Sequence, residues 1–179
     1  MQEAREPAPD ALDVDLSFEA APRGLISDVQ FWRWIADARH LLPIVMDTWT
    51  HVTRATWHGV SSDHVTPFWE LPTLGGATNL RGFGVGRFTD DHYLLFTAEE
   101  RVRAVDFEVR NNRLTFEIAA FLDVGRVYGR GDGLTADDWQ FVPGLGLRLV
   151  LPDSGIVARG DFGYGSDGLA VFIVLGYPF

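Results

Sequence analysis

Ser61, Ser62, Asp63 and His64 set hydroxyls, an acid and an imidazole side by side, the group types that make a nucleophile, an orienter and a base. Catalytic triads, however, are assembled from distant segments around a strained nucleophile turn and an oxyanion site, which four consecutive residues do not build. His40, His51, His58, His64 and His92 lack the tight spacing of a zinc site, and His51 and His58 do not fit a helical HExxH pattern. Cysteine is absent, so thiolate metal sites and disulfides are excluded. The glycine-rich line from Gly75 to Gly86 is followed by neither Lys-Ser nor Lys-Thr, and no helical pattern begins after it, so it is not a phosphate loop. Strand carboxylates such as Glu99, Glu117 and Asp123 resemble the acid pair of a glycosidase only superficially, because arginines share their faces and favour structural ion pairing. The expectation is no catalytic residue, no metal and no cofactor.

The elements that carry these residues alternate with period two, which puts one residue set on each face of a strand. In DALDVDLSFEA, Leu12, Val14, Leu16, Phe18 and Ala20 oppose Asp13, Asp15, Ser17 and Glu19. Trp32, Trp34, Ala36 and Ala38 oppose Arg33, Asp37 and Arg39, and a less regular strand runs from about Asp47 to Gly59. After a long gap, Val60 to Asp91, Leu94, Phe96, Ala98 and Val102 oppose Thr97, Glu99, Arg101 and Arg103. Leu114, Phe116, Ile118, Ala120 and Leu122 then oppose Thr115, Glu117 and Asp123. Three further strands follow. Trp139, Phe141, Leu145, Leu147, Leu149 and Leu151 oppose Gln140, Gly144, Gly146 and Arg148; Ile156, Ala158, Phe162 and Tyr164 oppose Arg159, Asp161 and Gly163. The last strand carries Leu169, Val171, Ile173, Leu175, Tyr177 and Phe179 on one side.

This pattern predicts an all-β, antiparallel fold of about eight strands in one domain over residues 1–179. Many strands reach the roughly 9 to 11 residues that a tilted strand needs to cross a bilayer. A soluble sandwich also alternates, but its strands usually run about 5 to 6 residues and both inner faces are apolar. Here the second face mixes Arg, Asp, Glu and Gly, which suits the wet lumen of a transmembrane β-barrel. No run of apolar residues is long enough for a membrane-spanning helix, and the net charge of -10 without a basic stripe argues against nucleic acid as a partner. Pro152-Asp153-Ser154-Gly155 and Asn111-Asn112 read as tight turns at one end, whereas Arg130 to Asp138 and the segment 60–91 read as long loops at the other.

Leu74 to Phe88, LGGATNLRGFGVGRF, followed by FLDVG at Phe121 to Gly125, GLGLR at Gly144 to Arg148 and a terminal GYPF, resembles the C-terminal barrel of the bacterial surface antigen, or outer-membrane protein assembly (BamA/TamA-like), superfamily. The resemblance spans most of the chain. It implies that the long loop folds back into the lumen, its tip being Leu80, Arg81, Gly82 and Phe83, and that Arg81 meets the acids Glu99 and Asp123 on the following strands. Gly75, Gly76, Gly84 and Gly86 would let loop and barrel approach closely, and the strand glycine Gly125 would do likewise. Gly176, Tyr177 and Phe179 resemble the aromatic-ended assembly signal of outer-membrane barrels. One departure is Glu100, which stands on the lipid-facing side where the family usually has an aromatic.

The resemblance further implies the last eight or so strands of a sixteen-stranded barrel in the bacterial outer membrane, working in insertion or translocation of proteins without chemistry. Its partners would be outer-membrane lipid, the barrel-assembly machinery, unfolded outer-membrane or secreted protein substrates, and the missing N-terminal strands and periplasmic domains. Met1 precedes QEAREPAPD rather than a basic and then apolar signal, so an exported chain would be a mature form or an excised segment. Two other readings are a passive small structural barrel, closed by pairing the first strand with the last, and the membrane anchor of a patatin-like phospholipase. The first conflicts with the loop, because an eight-stranded closed barrel has an interior only wide enough for side chains.

Overall fold

The computed structural model describes residues 10–22, 30–45, 48–63, 65–109, 112–132, 137–152 and 155–179. Strands β1 (Ala11–Ala21), β2 (Phe31–Val45) and β3 (Trp49–Ser62) come first. The long loop follows, with a single 3-10 turn (Phe68–Glu70) and the two-residue strands β4 (Thr73–Leu74) and β5 (Phe88–Thr89). Then come β6 (His92–Val109), β7 (Asn112–Tyr128), β8 (Gln140–Leu151), β9 (Ile156–Gly165) and β10 (Gly168–Leu175). β4 and β5 pair only with each other; the other eight strands form one sheet in the order β1-β2-β3-β6-β7-β8-β9-β10, antiparallel throughout. Among the described residues β1 pairs only with β2 and β10 only with β9, so the sheet is an open barrel segment.

The polarity of this sheet is reversed relative to a protein dissolved in water. Leu16, Phe18, Phe141, Leu145, Leu169 and Ile173 are exposed, while Glu99, Arg101, Asp123, Arg148, Arg159 and Asp161 are buried. Water would penalise so large an apolar surface, and an apolar core would penalise so many charges. Both are favourable when the outer face meets hydrocarbon and the inner face lines a polar lumen. The alternation read from the sequence matches this division along β2 and β6 to β9, whereas in the edge strand β1 Asp13, Asp15, Ser17 and Glu19 are exposed as well as the apolar row. In β6 the parity changes at a bulge between Arg103 and Val105, after which Val105, Phe107 and Val109 face outward in place of even-numbered residues.

The structure corrects several boundaries. β3 continues to Ser62 rather than ending at Gly59, so the loop starts later than position 60; Asp47, the expected start, lies outside the described residues. Asn112, expected in a tight turn, is already in β7 and paired with Val109; Asn111 lies outside the described residues. Asp153 and Ser154, and positions 133–136 of the loop from Arg130 to Asp138, also lie outside them.

The largest correction concerns the chain end. β10 stops at Leu175, and Gly176, at φ +103°, turns the backbone out of the strand. Tyr177 and Phe179 therefore do not continue the lipid-facing row but approach the lumenal arginines. Tyr177 lies under Arg101 at 4.8 Å and Phe179 beside Arg54 at 5.3 Å. Pro178 helps to end the strand, since it has no N–H to donate to a ladder, and cations over the two rings reward the inward turn.

Arginine at Ile118 or Leu147, both on the outer face, should destabilise the barrel by about 2–4 kcal/mol near the bilayer midplane. The same substitution at Gln140, beside the loop end of the lumen, should be mild. Unfolding from lipid vesicles measures both, and equal sensitivity would refute the assignment of faces.

Candidate functional site

The loop is tied down at its entrance before it reaches the lumen. Leu71 packs on Ala21, Phe31 and Val60, and Glu70 forms an ion pair with Arg33 of β2. Gly75 and Gly76, at φ +112° and +118°, then reverse the chain, a conformation that strongly favours glycine. The Gly76 N–H donates to the Phe83 carbonyl at 3.0 Å and the Leu80 N–H to the Asn79 side chain at 3.0 Å, closing a compact tip over residues 76–83. Leu74, Leu80 and Phe83 join Tyr93, Leu95, Phe121 and Val142 in an apolar cluster that seats the tip against β6, β7 and β8.

Arg81 extends from this tip into the charged layer and is wholly buried. Its Nε and Nη2 donate to Asp123 at 2.9 and 2.8 Å, its backbone N–H donates to the same carboxylate at 3.1 Å, and its Nη1 donates to Glu99 at 2.6 Å. The two-pronged contact with Asp123 uses the planar fork of a guanidinium, which an ammonium cannot reproduce. The Phe121 ring lies 3.5 Å from the guanidinium carbon and covers one face of it. Burial opposes the charge on Arg81, but the hydrogen bonds and charges of Asp123 and Glu99 outweigh it and hold its pKa above the ordinary arginine value. The group remains a cation at every accessible pH.

Glu99 is shared. Its other oxygen accepts from Arg101 Nε and Arg148 Nη2, both at 2.6 Å, and Thr97 Oγ1 donates to Asp123 at 2.9 Å. Two barrel arginines also hold the loop by its backbone: Arg54 Nη1 donates to the Thr78 carbonyl and Arg159 Nη2 to the Ala77 carbonyl, each at 2.8 Å. Tyr177 and Phe179 close the cluster from the side of β10, with Phe179 5.9 Å from the Arg81 guanidinium carbon.

The structure thus brings Leu80, Arg81, Phe83, Glu99 and Asp123 together, and adds residues that the motif did not include. Arg101, Arg148, Arg159 and Asp161 stood on the inward face by alternation alone, a signal that their partners across the lumen could not be read from. Arg54 was missed because its strand was the least regular in the sequence.

The glycines divide differently from expectation. Gly82 fits against Val142, Gly163 lies under the Arg81 backbone and Gly165 under the Phe83 ring; a Cβ at any of the three would collide. Gly125 leaves room for Leu74 and Leu80. Gly84 and Gly86, expected at the close approach, have nothing near a hypothetical Cβ. They stand on the returning limb of the loop, away from the wall.

The other chemical candidates stay apart. Arg130 donates to Ser61 Oγ and to the Ser62 carbonyl, Ser62 Oγ bonds Thr66, and His64 lies outside the described residues. His58 packs on Tyr93 and His92 on Tyr128, while His51 contacts Glu100 and His40 contacts Asp10. Among the described residues no three side chains converge as metal ligands.

An open antiparallel sheet with an apolar exterior, a charged interior and an inward-folded loop defines a segment of an outer-membrane-type β-barrel. The Omp85 superfamily domain matches residues 10–164, and the chain belongs to that family, whose domains reside in outer membranes. A search of curated proteins finds no match.

Replacing Arg81 with Ala strands the buried Asp123 carboxylate and takes one of three arginines from Glu99, and should destabilise the loop and barrel by about 3–5 kcal/mol. Arg81→Lys should recover little of this, because the charge returns without the fork. Both are read from unfolding in lipid vesicles, and a loss below about 1 kcal/mol for Arg81→Ala would mark an ordinary solvated arginine. Gly163→Val removes no charge but displaces the tip, so it should make the loop sensitive to added protease while the sheet persists; a loop as resistant as the parent's would contradict the packing.

Proposed function

We propose that this chain is the C-terminal half of a sixteen-stranded outer-membrane barrel that inserts or translocates proteins, as BamA/TamA-like members of its family do, and that it does so without catalytic chemistry, nucleotide or metal. The observation that carries the reading is the latched lumen of Arg81, Glu99 and Asp123 in a sheet whose β1 and β10 are, among the described residues, each paired on one side only. A passive pore needs closed edges, because unpaired backbone N–H and C=O groups are costly in hydrocarbon. A machine that receives a substrate strand needs an edge that offers them, and strand addition at a sheet edge is a general recognition mode. The latch keeps the wall rigid while an edge exchanges partners.

In this reading the missing N-terminal strands pair with β1 and complete the barrel, leaving a seam at β10 that can open, and periplasmic domains and the barrel-assembly machinery deliver unfolded outer-membrane or secreted proteins to it. A passive eight-stranded barrel is disfavoured, since the lumen is filled by loop and charge network.

A photo-reactive residue at Val171 of β10 should capture unfolded outer-membrane protein during assembly in cells, whereas one at Leu147, inside the sheet, should not. Capture at neither position, or equal capture at both, would argue against edge-mediated insertion. The chain purified without the missing strands should oligomerise or aggregate in detergent. A monodisperse monomer conducting as a single pore would overturn the half-barrel reading.

A further inference from the structure

The β6–β7 hairpin outruns its neighbour β3 at the tight-turn end of the sheet. β6 has 18 residues and β7 has 17, whereas roughly 9 to 11 cross a bilayer. The last pair joining β6 to β3 is Val102 with Trp49, and the Arg103 N–H donates to the Thr48 carbonyl at 2.8 Å. A bulge between Arg103 and Val105 then ends the match, and from Val105 to Val109 β6 pairs, among the described residues, with β7 alone. Exposure changes at the same place. Up to Val102 buried residues alternate with less buried ones, but Ala104 to Val109 are all exposed.

The backbone decides what surrounds this overhang. Its open side presents N–H and C=O groups that hydrocarbon does not tolerate unpaired, and beside it β3 has already given way to the β2–β3 turn. Short turns face the periplasm in outer-membrane barrels, so the overhang stands on that side of the bilayer. Strand length agrees: His92 lies in an aromatic row with Trp34 and Tyr128 at the loop end, and the span from His92 to Val102 already supplies the roughly 11 residues of a crossing. In water the outward row is a liability. Val105, Phe107 and Val109 are 56, 40 and 49% exposed, and no lysine or proline interrupts them to keep sheet edges apart. The opposite row is acidic, since Asp106 and Glu108 face Arg113, which pairs with Asp106 at 2.7 Å and stands across the ladder from Glu108.

We propose that the β6 edge from Val105 to Val109 is a docking site for a strand of a soluble periplasmic protein, apolar beside Val105, Phe107 and Val109 and basic beside Asp106 and Glu108. Strand addition supplies the backbone partners that β3 does not, in line with β3 and beneath the β2–β3 turn. A helix would cover the apolar row yet leave the edge unpaired, and a lipid tail would leave it unpaired as well. Lys or Arg across from the two acids adds a cross-strand charge match. The partner is a standing one, because this edge left bare between visits would invite aggregation. β7, β8 and β9 separate it from β10, so it is not the seam. The site rests on the barrel standing in an outer membrane and not on substrate capture.

Two measurements on the full-length protein test the site. In lipid vesicles, Phe107→Lys should lower the urea midpoint by less than half of the drop that Leu147→Lys gives, because Phe107 lies in water and Leu147 in hydrocarbon. A drop of half or more, or failure of Phe107→Lys to fold, would place the overhang in lipid and overturn the site. In intact cells, photo-reactive residues introduced singly at Val105, Phe107 and Val109 should cross-link to one segment of one soluble protein. The contacted positions should be two residues apart, in the order of a paired strand, with Lys or Arg between them. Heat-modifiable migration reports that each variant has folded, and any two of the three suffice to read the spacing. Phe107→Lys, which sets a charge in the apolar row, should reduce capture from Val109 by about fivefold or more. Adducts with lipid alone, with a second copy of this chain or with many unrelated proteins would overturn the site. So would contacts without the spacing of two, acidic residues between them, capture undiminished by Phe107→Lys, or no adduct from any folded variant. Substrate capture at β10 is a separate measurement, so failure of one does not imply failure of the other.

Discussion

Arg81 is a buried cation at the tip of a long loop, and the interior of this protein is arranged around keeping it paired. An isolated charge removed from water costs several kcal/mol even after relaxation, so the site is tolerable only with near-complete satisfaction of its donors. Asp123 takes the fork and a backbone N–H, Glu99 takes the remaining terminal nitrogen, and Phe121 covers the plane. Satisfying Arg81 commits three elements at once, because Glu99 belongs to β6, Asp123 to β7 and Arg81 to the loop between β3 and β6. The same Glu99 draws in Arg101 and, from β8, Arg148. A loop long enough to lie over the barrel mouth is thereby made part of its wall.

The apolar and steric parts of the site make the charge contacts possible. Leu80 and Phe83 bring hydrophobic stabilisation to the tip on either side of the arginine, and glycines on β9 let its backbone lie against the sheet. The inward turn at Gly176 adds aromatic rings over arginines of the same layer. The last strand and the loop therefore share one cluster, so a rearrangement at the β10 edge reaches the latch through direct contacts.

Strand number, strand faces and the inward position of Glu99 and Asp123 were legible because period-two alternation survives along long strands with an apolar outer row. The bulge in β6 was not, since an inserted residue changes parity without changing composition. The chain end misled for a related reason: Leu175, Tyr177 and Phe179 keep the alternation, yet a glycine at positive φ and the pull of buried cations divert the backbone. The motif LRGF located the latch, whereas the hydrogen bonds by which Arg54 and Arg159 hold the loop carbonyls carry no local signal. Long-range side chain to backbone contacts depend on where the loop is placed, which spacing does not encode. Glu100 was legible as an anomaly on the lipid face, and only the structure joined it to Trp49 and His51.

The latch exists only if Arg81 and Asp123 act as one unit. A double-mutant cycle of Arg81→Ala with Asp123→Ala, read as barrel stability in lipid vesicles, measures this directly. Strong coupling is the predicted result: the double variant should be destabilised by at least about 2 kcal/mol less than the sum of the single variants, since each single change leaves the other charge buried. Additivity within about 0.5 kcal/mol would mean that the two residues do not sense each other, and would contradict the latch.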